Sequence, residues 1–328
     1  MIISKTPFRI SFVGGGTDLK VFYEKEPGRV LSTTINRYIY VLVKKQTSMF
    51  EFKYRVNWSA SEFCNTIEEI KHPIVREALR LLNINFAVEI STFSDIPSQT
   101  GLASSSAFTV GLLNALCVLI GREVDKHMLA QMAYQVEVEM VGRSMGSQDH
   151  FSCAYGGLNI IDFYSDASVQ VTPVSCSKYK RDELQKKIVL FYTNIQRNAS
   201  EVLKVQESET AKKFDTLRKM KELVSPLEDA ISINNDQFGQ LLHQNWILKK
   251  QVSRLISSDK IDSYYNLGID SGATGGKLLG AGSGGFLMFF VNEENKKSVI
   301  SALDHLYCLD VEFEEEGTKI VFDEMDLL

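Results

Sequence analysis

Short runs in which β-branched and aromatic residues alternate with polar ones occupy much of the first half of the chain, and this spacing is typical of strands. Two longer segments, residues 104–120 and 125–141, have the spacing of helices. The first is apolar on most faces and is expected to be buried, and Asp125 is the predicted N-cap of the second. A further helix is expected over residues 74–82, with Pro73 in its first turn. Strands are predicted at residues 8–13, 30–43, 50–56, 86–92, 157–163 and 169–174, with 50–56 as the antiparallel neighbour of 30–43.

The pattern changes after a polar stretch at residues 175–187, which is the best candidate for a domain boundary. We therefore predict two domains, residues 1–180 and 181–328. Because strands come first and helices later, the fold class is predicted to be α+β rather than a doubly wound sheet. Beyond the boundary we expect a strand at 188–193, helices within 199–258, a glycine-rich loop at 275–285, a strand at 286–291, a helix at 296–306 and strands at 311–314 and 318–322.

Composition narrows the class of protein. The chain is 44% hydrophobic and 23% charged, as in ordinary soluble globular proteins, and its net charge of −5 argues against broad electrostatic binding to nucleic acid. The five cysteines lack CxxC spacing and the five histidines do not cluster, so neither disulfides nor a zinc site are expected. The longest apolar run, residues 110–120, is too short to span a bilayer, and no signal peptide is visible. We expect a cytoplasmic protein that binds neither nucleic acid nor membrane, and its oligomeric state stays open.

The most informative segment is PSQTGLASSSA, residues 97–107, which lies between a predicted strand and a predicted buried helix. Small residues let the backbone approach a ligand, and the free N–H groups and the dipole of a helix N-terminus favour a phosphate. A serine N-cap on an ordinary buried helix explains this segment equally well when it is taken alone.

A second segment, residues 7–18, reads PFRISFVGGGTD. A strand here delivers Arg9, which can lie beside a reacting hydroxyl or a phosphate, and a glycine turn presents Thr17 and Asp18. Asp18 can accept hydrogen bonds from two sugar hydroxyls. A dinucleotide-binding GxGxxG is excluded because Leu19 stands where its last glycine would be, whereas a tight turn with a satisfied aspartate remains an alternative.

Two further segments carry candidate chemistry. Residues 137–157 place Glu137 and Glu139 before a glycine-containing turn and Asp149 after it, so that one carboxylate could hold Mg²⁺ while another takes a proton. A solvated helix face and an N-cap are the alternative explanation. Residues 272–285, GATGGKLLGAGSGG, lack the spacing of a Walker A loop, and so many glycines before a buried strand indicate close backbone packing against a ligand or another loop.

Taken together and in this order, the four segments resemble the GHMP kinase superfamily over essentially the whole chain. The central segment is similar to the family's PxxxGLGSSAA, with Ala103 where glycine is usual, a change expected to tighten the loop slightly. Within the superfamily, the chain most resembles the D-glycero-D-manno-heptose 7-phosphate kinases, which phosphorylate an anomeric hydroxyl. The resemblance implies a two-domain α+β fold with the active site in the interdomain cleft.

The resemblance also implies roles for individual residues. Asp149 would take the proton of the attacking hydroxyl, with Arg9 beside it stabilising charge. Ser105 and Glu137 would hold Mg²⁺, with Glu139 as the alternative carboxylate. The phosphates of ATP would be bound by Pro97, Gly101, Leu102, Ala103, Ser104, Ser105, Ser106 and Ala107.

For the acceptor, the resemblance implies a small-molecule sugar phosphate that is converted to the 1,7-bisphosphate for nucleotide-activated heptose synthesis. Gly15, Gly16, Thr17, Asp18 and Arg197 are the predicted substrate residues. Arg197, Arg143 and Lys277 are the candidates for binding the acceptor's own phosphate. A GHMP kinase acting on fucose, galactose or a mevalonate-like alcohol, and a non-catalytic regulator that binds sugar or nucleotide, are the alternative functions.

Overall fold

Two β-sheets, one built mainly from each half of the chain, organise the fold of this protein. The computed structural model describes residues 1–195, 204–205, 209–210, 212–233 and 237–324. Both sheets are covered by helices, so the α+β class predicted from the order of elements is confirmed.

The larger sheet is built around two long antiparallel strands, β1 (Ile2–Val13) and β2 (Gly28–Lys45). The whole region predicted as a strand or strand pair at residues 30–43 is one strand, because its β-branched and aromatic residues are not interrupted by a turn. The remaining strands of the first half are β3 (Tyr54–Asn57), β4 (Ser61–Cys64), β5 (Val88–Ser94), β6 (Asn159–Phe163) and β7 (Val169–Pro173).

One predicted pairing is wrong. The segment predicted at residues 50–56 does not lie antiparallel to β2; its strand, β3, pairs parallel with β5 and antiparallel with β4. The reason is that β5 already pairs with residues 39–45 of β2, so β3 is one strand further out. The predicted hairpin of β6 and β7 is confirmed, and β6 pairs with the first residues of β2.

The helices of the first half pack on this sheet, and α3 (Ser104–Leu119) is the buried one, as its apolar sequence predicts. The predicted helix that begins after Asp125 is α-helical at first, and Asp125 caps it by accepting from the amide of Met128 at 2.7 Å. It then continues as a π-helical segment, Gln135–Met140. The other helices are α1 (Lys20–Tyr23), α2 (Pro73–Leu81), α4 (Lys126–Tyr134), α5 (Gln148–Tyr155) and α6 (Lys178–Lys186).

The second half surrounds a smaller antiparallel sheet with the order β11-β8-β10-β9. Its strands are β8 (Ile188–Tyr192), β9 (Ala273–Leu278), β10 (Phe286–Val291) and β11 (Tyr307–Leu309). Its helices are α7 (Phe214–Glu222), α8 (Val224–Ser232), α9 (Phe238–Val252), α10 (Asp259–Asp270) and α11 (Glu293–Ala302).

The last two strands, β12 (Phe313–Glu314) and β13 (Lys319–Asp323), return to the larger sheet and pair with β2 and β1. The boundary near residue 180 stays a prediction. The loop predicted at residues 275–285 is shorter than expected, because its first residues belong to β9, where small side chains allow close packing on α9. No helix among the described residues is long and apolar enough to cross a membrane.

Candidate active site

Two cavities meet at Arg9 and Asp149, the two residues predicted to be catalytic. The larger cavity has a volume of about 850 Å³ and is lined by the loop at residues 94–106, by Trp58 and by Phe108. The smaller cavity is also lined by Arg9 and Asp149 and contains Asp18. A reacting hydroxyl and a phosphoryl donor in the two cavities would therefore meet at Arg9 and Asp149.

The Arg9–Asp149 pair is held rigidly. Arg9 comes from the buried part of β1 and is 3% exposed, and Asp149 lies in the first turn of α5. Two nitrogens of the guanidinium, Nε and Nη2, each lie 2.7 Å from Oδ1 of Asp149, and Nη1 donates to the carbonyl of Gly101 at 2.9 Å. Among the described residues, no hydrogen bond reaches Oδ2 of Asp149, so this oxygen is free to accept a proton from a ligand.

The loop at residues 97–103 brings backbone and hydroxyl groups to the N-terminus of α3. Gly101 and Ala103 both have left-handed backbone conformations, with φ of 82° and 66°. The amide of Arg9 donates to the carbonyl of Leu102 at 3.1 Å, which fixes this loop against β1. Of the residues predicted to bind ATP phosphates, Pro97, Gly101, Ala103, Ser104, Ser105 and Ser106 line the larger cavity.

Leu102 and Ala107 do not line that cavity. Both side chains are fully buried in the hydrophobic core, so any contact of these two residues with ATP phosphates would be made by their backbone, and that contact stays a prediction.

The predicted metal ligands lie together. The hydroxyl of Ser105 donates to Oε1 of Glu137, which is completely buried in the π-helical segment. Arg143 contacts both groups, and its Nη1 lies 2.5 Å from the Ser105 hydroxyl and 2.7 Å from Oε1 of Glu137. On the other carboxylate oxygen of Glu137, Oε2, Nε2 of His150 lies at 3.0 Å. Burial alone would raise the pKa of Glu137, but His150, Arg143 and the Ser105 hydroxyl outweigh it and hold this pKa below its usual value.

The alternative carboxylate, Glu139, is exposed, so the structure brings Glu137 and not Glu139 to Ser105. Ser105 and Glu137 are hard oxygen donors, as Mg²⁺ prefers, and a positive guanidinium already lies against both. The described residues contain no cluster of three or more metal-binding side chains.

Asp18 is the acidic group of the smaller cavity. It is 3% exposed and accepts from the amides of Gly16 at 2.9 Å and Gln148 at 3.3 Å. Burial and the negative charge of Asp149 raise its pKa, and the two amides offset this only in part. Gly15 and Gly16 also line this cavity, as predicted for a substrate site.

Thr17 does not line either cavity. Its hydroxyl shares its one proton between the carbonyls of Gly14 and Arg29, at 2.8 and 3.1 Å, and accepts from the amide of Arg29 at 3.0 Å. Because Thr17 is fully buried and its proton is engaged in the turn, it holds the position of Asp18 instead of contacting a sugar. Arg197 lies outside the described residues.

Two lysines in the smaller cavity are further candidates for contact with the substrate. Lys277, weighed above for a substrate phosphate, lies in the smaller cavity and is 3% exposed. Lys249 lies beside it and was not found from the sequence, because its segment, LKKQ, has the appearance of an exposed helix face. No signal in the sequence distinguishes Lys249 from its neighbour Lys250.

Comparison with known proteins agrees with this arrangement. Residues 68–157 match the GHMP kinases N terminal domain, and residues 226–307 match the GHMP kinases C terminal domain. A D-glycero-alpha-D-manno-heptose 7-phosphate kinase from Campylobacter jejuni is 31% identical, over 97% of this chain and 98% of that protein.

Two solved structures show the same fold. A D-glycero-D-manno-heptose 1-phosphate kinase from Bacteriodes thetaiotaomicron aligns with a TM-score of 0.82 at 23% identity, covering 98% of this chain and 99% of that one. Lactococcus lactis galactokinase with bound galactose aligns with a TM-score of 0.75 at 18% identity, covering 97% and 94%. GHMP kinases use ATP as the phosphate donor. With both family domains matched and a relative similar over nearly its full length, this chain belongs to the GHMP kinases and is a sugar kinase.

Proposed function

We propose that this kinase transfers a phosphoryl group from Mg²⁺-ATP to the anomeric hydroxyl of D-glycero-D-manno-heptose 7-phosphate and forms the 1,7-bisphosphate. The observation that carries the proposal is the Arg9–Asp149 pair at the junction of two cavities, one suited to a nucleotide and one to a sugar. The 31% identity to a heptose 7-phosphate kinase supports the choice of acceptor. A cytoplasmic location stays a prediction.

In this proposal Asp149 acts as the general base. Its Oδ1 is fixed by Arg9, which leaves Oδ2 to accept the proton of the anomeric hydroxyl as the new O–P bond forms. Arg9 keeps the carboxylate oriented and also faces the larger cavity, where it stabilises charge on the transferred phosphoryl group. Asp18 orients the sugar by accepting from its hydroxyls.

The nucleotide occupies the larger cavity, with its phosphates at the N-terminus of α3. Ser105 and Glu137 would hold Mg²⁺, which when bound neutralises charge on the phosphate oxygens. Since phosphoryl transfer depends mainly on positioning and charge, the loop and these two residues contribute as much as the base.

The test is ADP release by the purified protein with ATP and either D-glycero-D-manno-heptose 7-phosphate, unphosphorylated heptose, fucose, galactose or mevalonate, with and without Mg²⁺. We expect Mg²⁺-dependent turnover that is fastest on the heptose phosphate. Turnover confined to an unphosphorylated acceptor would refute the substrate while retaining the kinase. Nucleotide binding without turnover on any acceptor would support the non-catalytic regulator instead.

A further inference from the structure

We propose that Lys249, Lys277 and Ser11 form a subsite that binds a phosphate group of the sugar acceptor, remote from the hydroxyl that reacts. The inference rests on the proposed function, because it assumes an acceptor that already carries a phosphate. It assigns that phosphate to residues of the smaller cavity.

The two ammonium groups are buried and oriented by backbone carbonyls. Nζ of Lys277 donates to the carbonyls of Ser11 and Phe12, both at 2.8 Å. Nζ of Lys249 donates to the carbonyls of Leu278 at 3.1 Å and Gly280 at 2.5 Å. An ammonium has three donors, so each lysine retains one N–H beyond these bonds. Both side chains line the smaller cavity, into which that third donor can reach.

No carboxylate neutralises these lysines among the residues that the structure describes. The acidic groups of the cavity are engaged elsewhere, Asp149 with Arg9 and Asp18 with two backbone amides. Burying a cation without a counter-ion is costly, so two such cations side by side indicate a site completed by an anion. In keeping with this, burial and the charge of Arg9 lower the pKa of Lys249 to about 7, and burial, Lys249 and Arg9 hold the pKa of Lys277 well below its usual value.

Ser11 supplies an independent observation. Its hydroxyl oxygen is buried, lines the smaller cavity and has no hydrogen-bond partner among the described residues. Buried polar groups without partners are uncommon and require an explanation. A phosphate oxygen beside Lys277, whose ammonium already contacts the carbonyl of Ser11, would accept from this hydroxyl.

The position of the subsite indicates that it binds a phosphate of the acceptor and not a phosphate of the nucleotide. Lys249, Lys277 and Ser11 line only the smaller cavity, which also contains Asp18, whereas the nucleotide loop lines only the larger one. Arg9 and Asp149 line both cavities. A phosphate here is therefore carried by the molecule that presents its hydroxyl to Asp149.

The experiment compares kcat/KM for D-glycero-D-manno-heptose 7-phosphate with kcat/KM for the unphosphorylated heptose, in the wild type and in Lys249→Met and Ser11→Ala. Losing one hydrogen bond to a charged group should lower this selectivity ratio about 10-fold to 100-fold in Lys249→Met, mainly through KM for the phosphorylated sugar. Ser11→Ala should lower it about 3-fold to 10-fold. Lys250→Met is the matched control, since Lys250 pairs with Asp262 outside the cavity.

Each result decides something different. A wild type that does not turn over the heptose phosphate refutes the proposed function, and the subsite with it. A wild type that prefers the phosphorylated sugar, with the same ratio in both variants, refutes only the subsite. Should Lys249→Met fail to fold, Ser11→Ala decides alone, because it removes a hydroxyl without a partner and leaves the backbone bonds of the lysines in place. An unchanged ratio there overturns the proposal.

Discussion

Replacing Asp149 with asparagine tests the centre of the proposed mechanism. The side chain keeps its shape and can still accept from Arg9, but it loses the negative charge and the capacity to take a proton. We therefore expect a large loss of turnover with a folded protein. Binding of ATP should change little, because asparagine can still accept from Arg9, whose guanidinium donates to the carbonyl of Gly101 in the loop at residues 97–103.

The structure sets the size of both effects. A general base contributes about 10²-fold to 10⁴-fold to the rate, or about 3 to 5.5 kcal/mol of activation free energy. The buried Arg9 exchanges bonds to a carboxylate for weaker bonds to a neutral amide, which costs about 1 to 2 kcal/mol of unfolding free energy. The loss of activation free energy should thus exceed the loss of unfolding free energy by about 1 to 4.5 kcal/mol.

Three measurements separate these effects: ADP release at saturating acceptor, calorimetric binding of a non-hydrolysable ATP analogue, and urea unfolding. Asp162→Asn is the control, since Asp162 pairs with Arg29 at 2.8 Å and lines neither cavity. Turnover of Asp149→Asn within about threefold of the wild type would refute the assignment of the base.

Four further outcomes are expected. Glu137→Gln should raise the Mg²⁺ concentration needed for half-maximal activity about 10-fold or more and weaken Mn²⁺ binding seen by electron paramagnetic resonance; equal metal affinity would exclude Glu137 as a ligand. Between pH 7 and 10.5, Lys249 binds more protons in the unfolded chain than in the folded one, so the free energy of unfolding should rise with pH. Urea unfolding should show a rise of up to about 1.4 kcal/mol per pH unit, and Lys249→Met should lack this component. Ala103→Gly should stabilise the protein by about 0.5 to 1 kcal/mol in thermal unfolding, because alanine here has a φ of 66°. Gly280→Ala should destabilise it by about 1 to 3 kcal/mol, since a Cβ would lie 2.5 Å from Cα of Gly101, and unchanged melting would contradict this packing.

Local signals in the sequence single out the candidate catalytic and metal-binding residues of the site. Ser105 and Asp149 stand at predicted helix starts, and Arg9 and Glu137 each come five residues before a glycine. Periodicity likewise predicts α3 as a buried helix. These features depend on a few neighbouring residues, so they can be seen without the tertiary structure.

The features that sequence analysis missed depend on contacts between distant segments. In the sequence, Lys249 resembles a surface lysine, and its burial results from the packing of α9 against β9. Thr17 resembles a sugar ligand in the sequence, but in the fold its hydroxyl contacts the carbonyl of Arg29. The partner of β3 is β5 because β5, and not β3, pairs with β2. Side-chain burial and strand order are properties of the assembled fold, and a single sequence does not contain them in local form.

The second glycine-rich segment explains how the two halves of the chain share one site. Gly280 lies against Gly101 so closely that neither position has room for a side chain, and the amide of Phe286 donates to the carbonyl of Thr100 at 3.1 Å. These contacts join the strand end of the smaller sheet to the loop at residues 97–103. Packing against a neighbouring loop, one of the two explanations left open for the glycines, is therefore observed, and Gly280, Gly282 and Gly284 also line the larger cavity, so contact with a ligand stays a prediction.

Lys277 adds a second connection, because it extends from β9 to the carbonyls that follow Arg9 on β1. Arg9 is thus held on one side by the loop at residues 97–103, through Gly101, and its strand is held on the other by the second half of the chain. A change in the relative position of the two halves would therefore act on Arg9 through its strand, and on Asp149 through its bonds to Arg9. Lys277 accordingly faces the smaller cavity and also positions the two residues that are predicted to be catalytic.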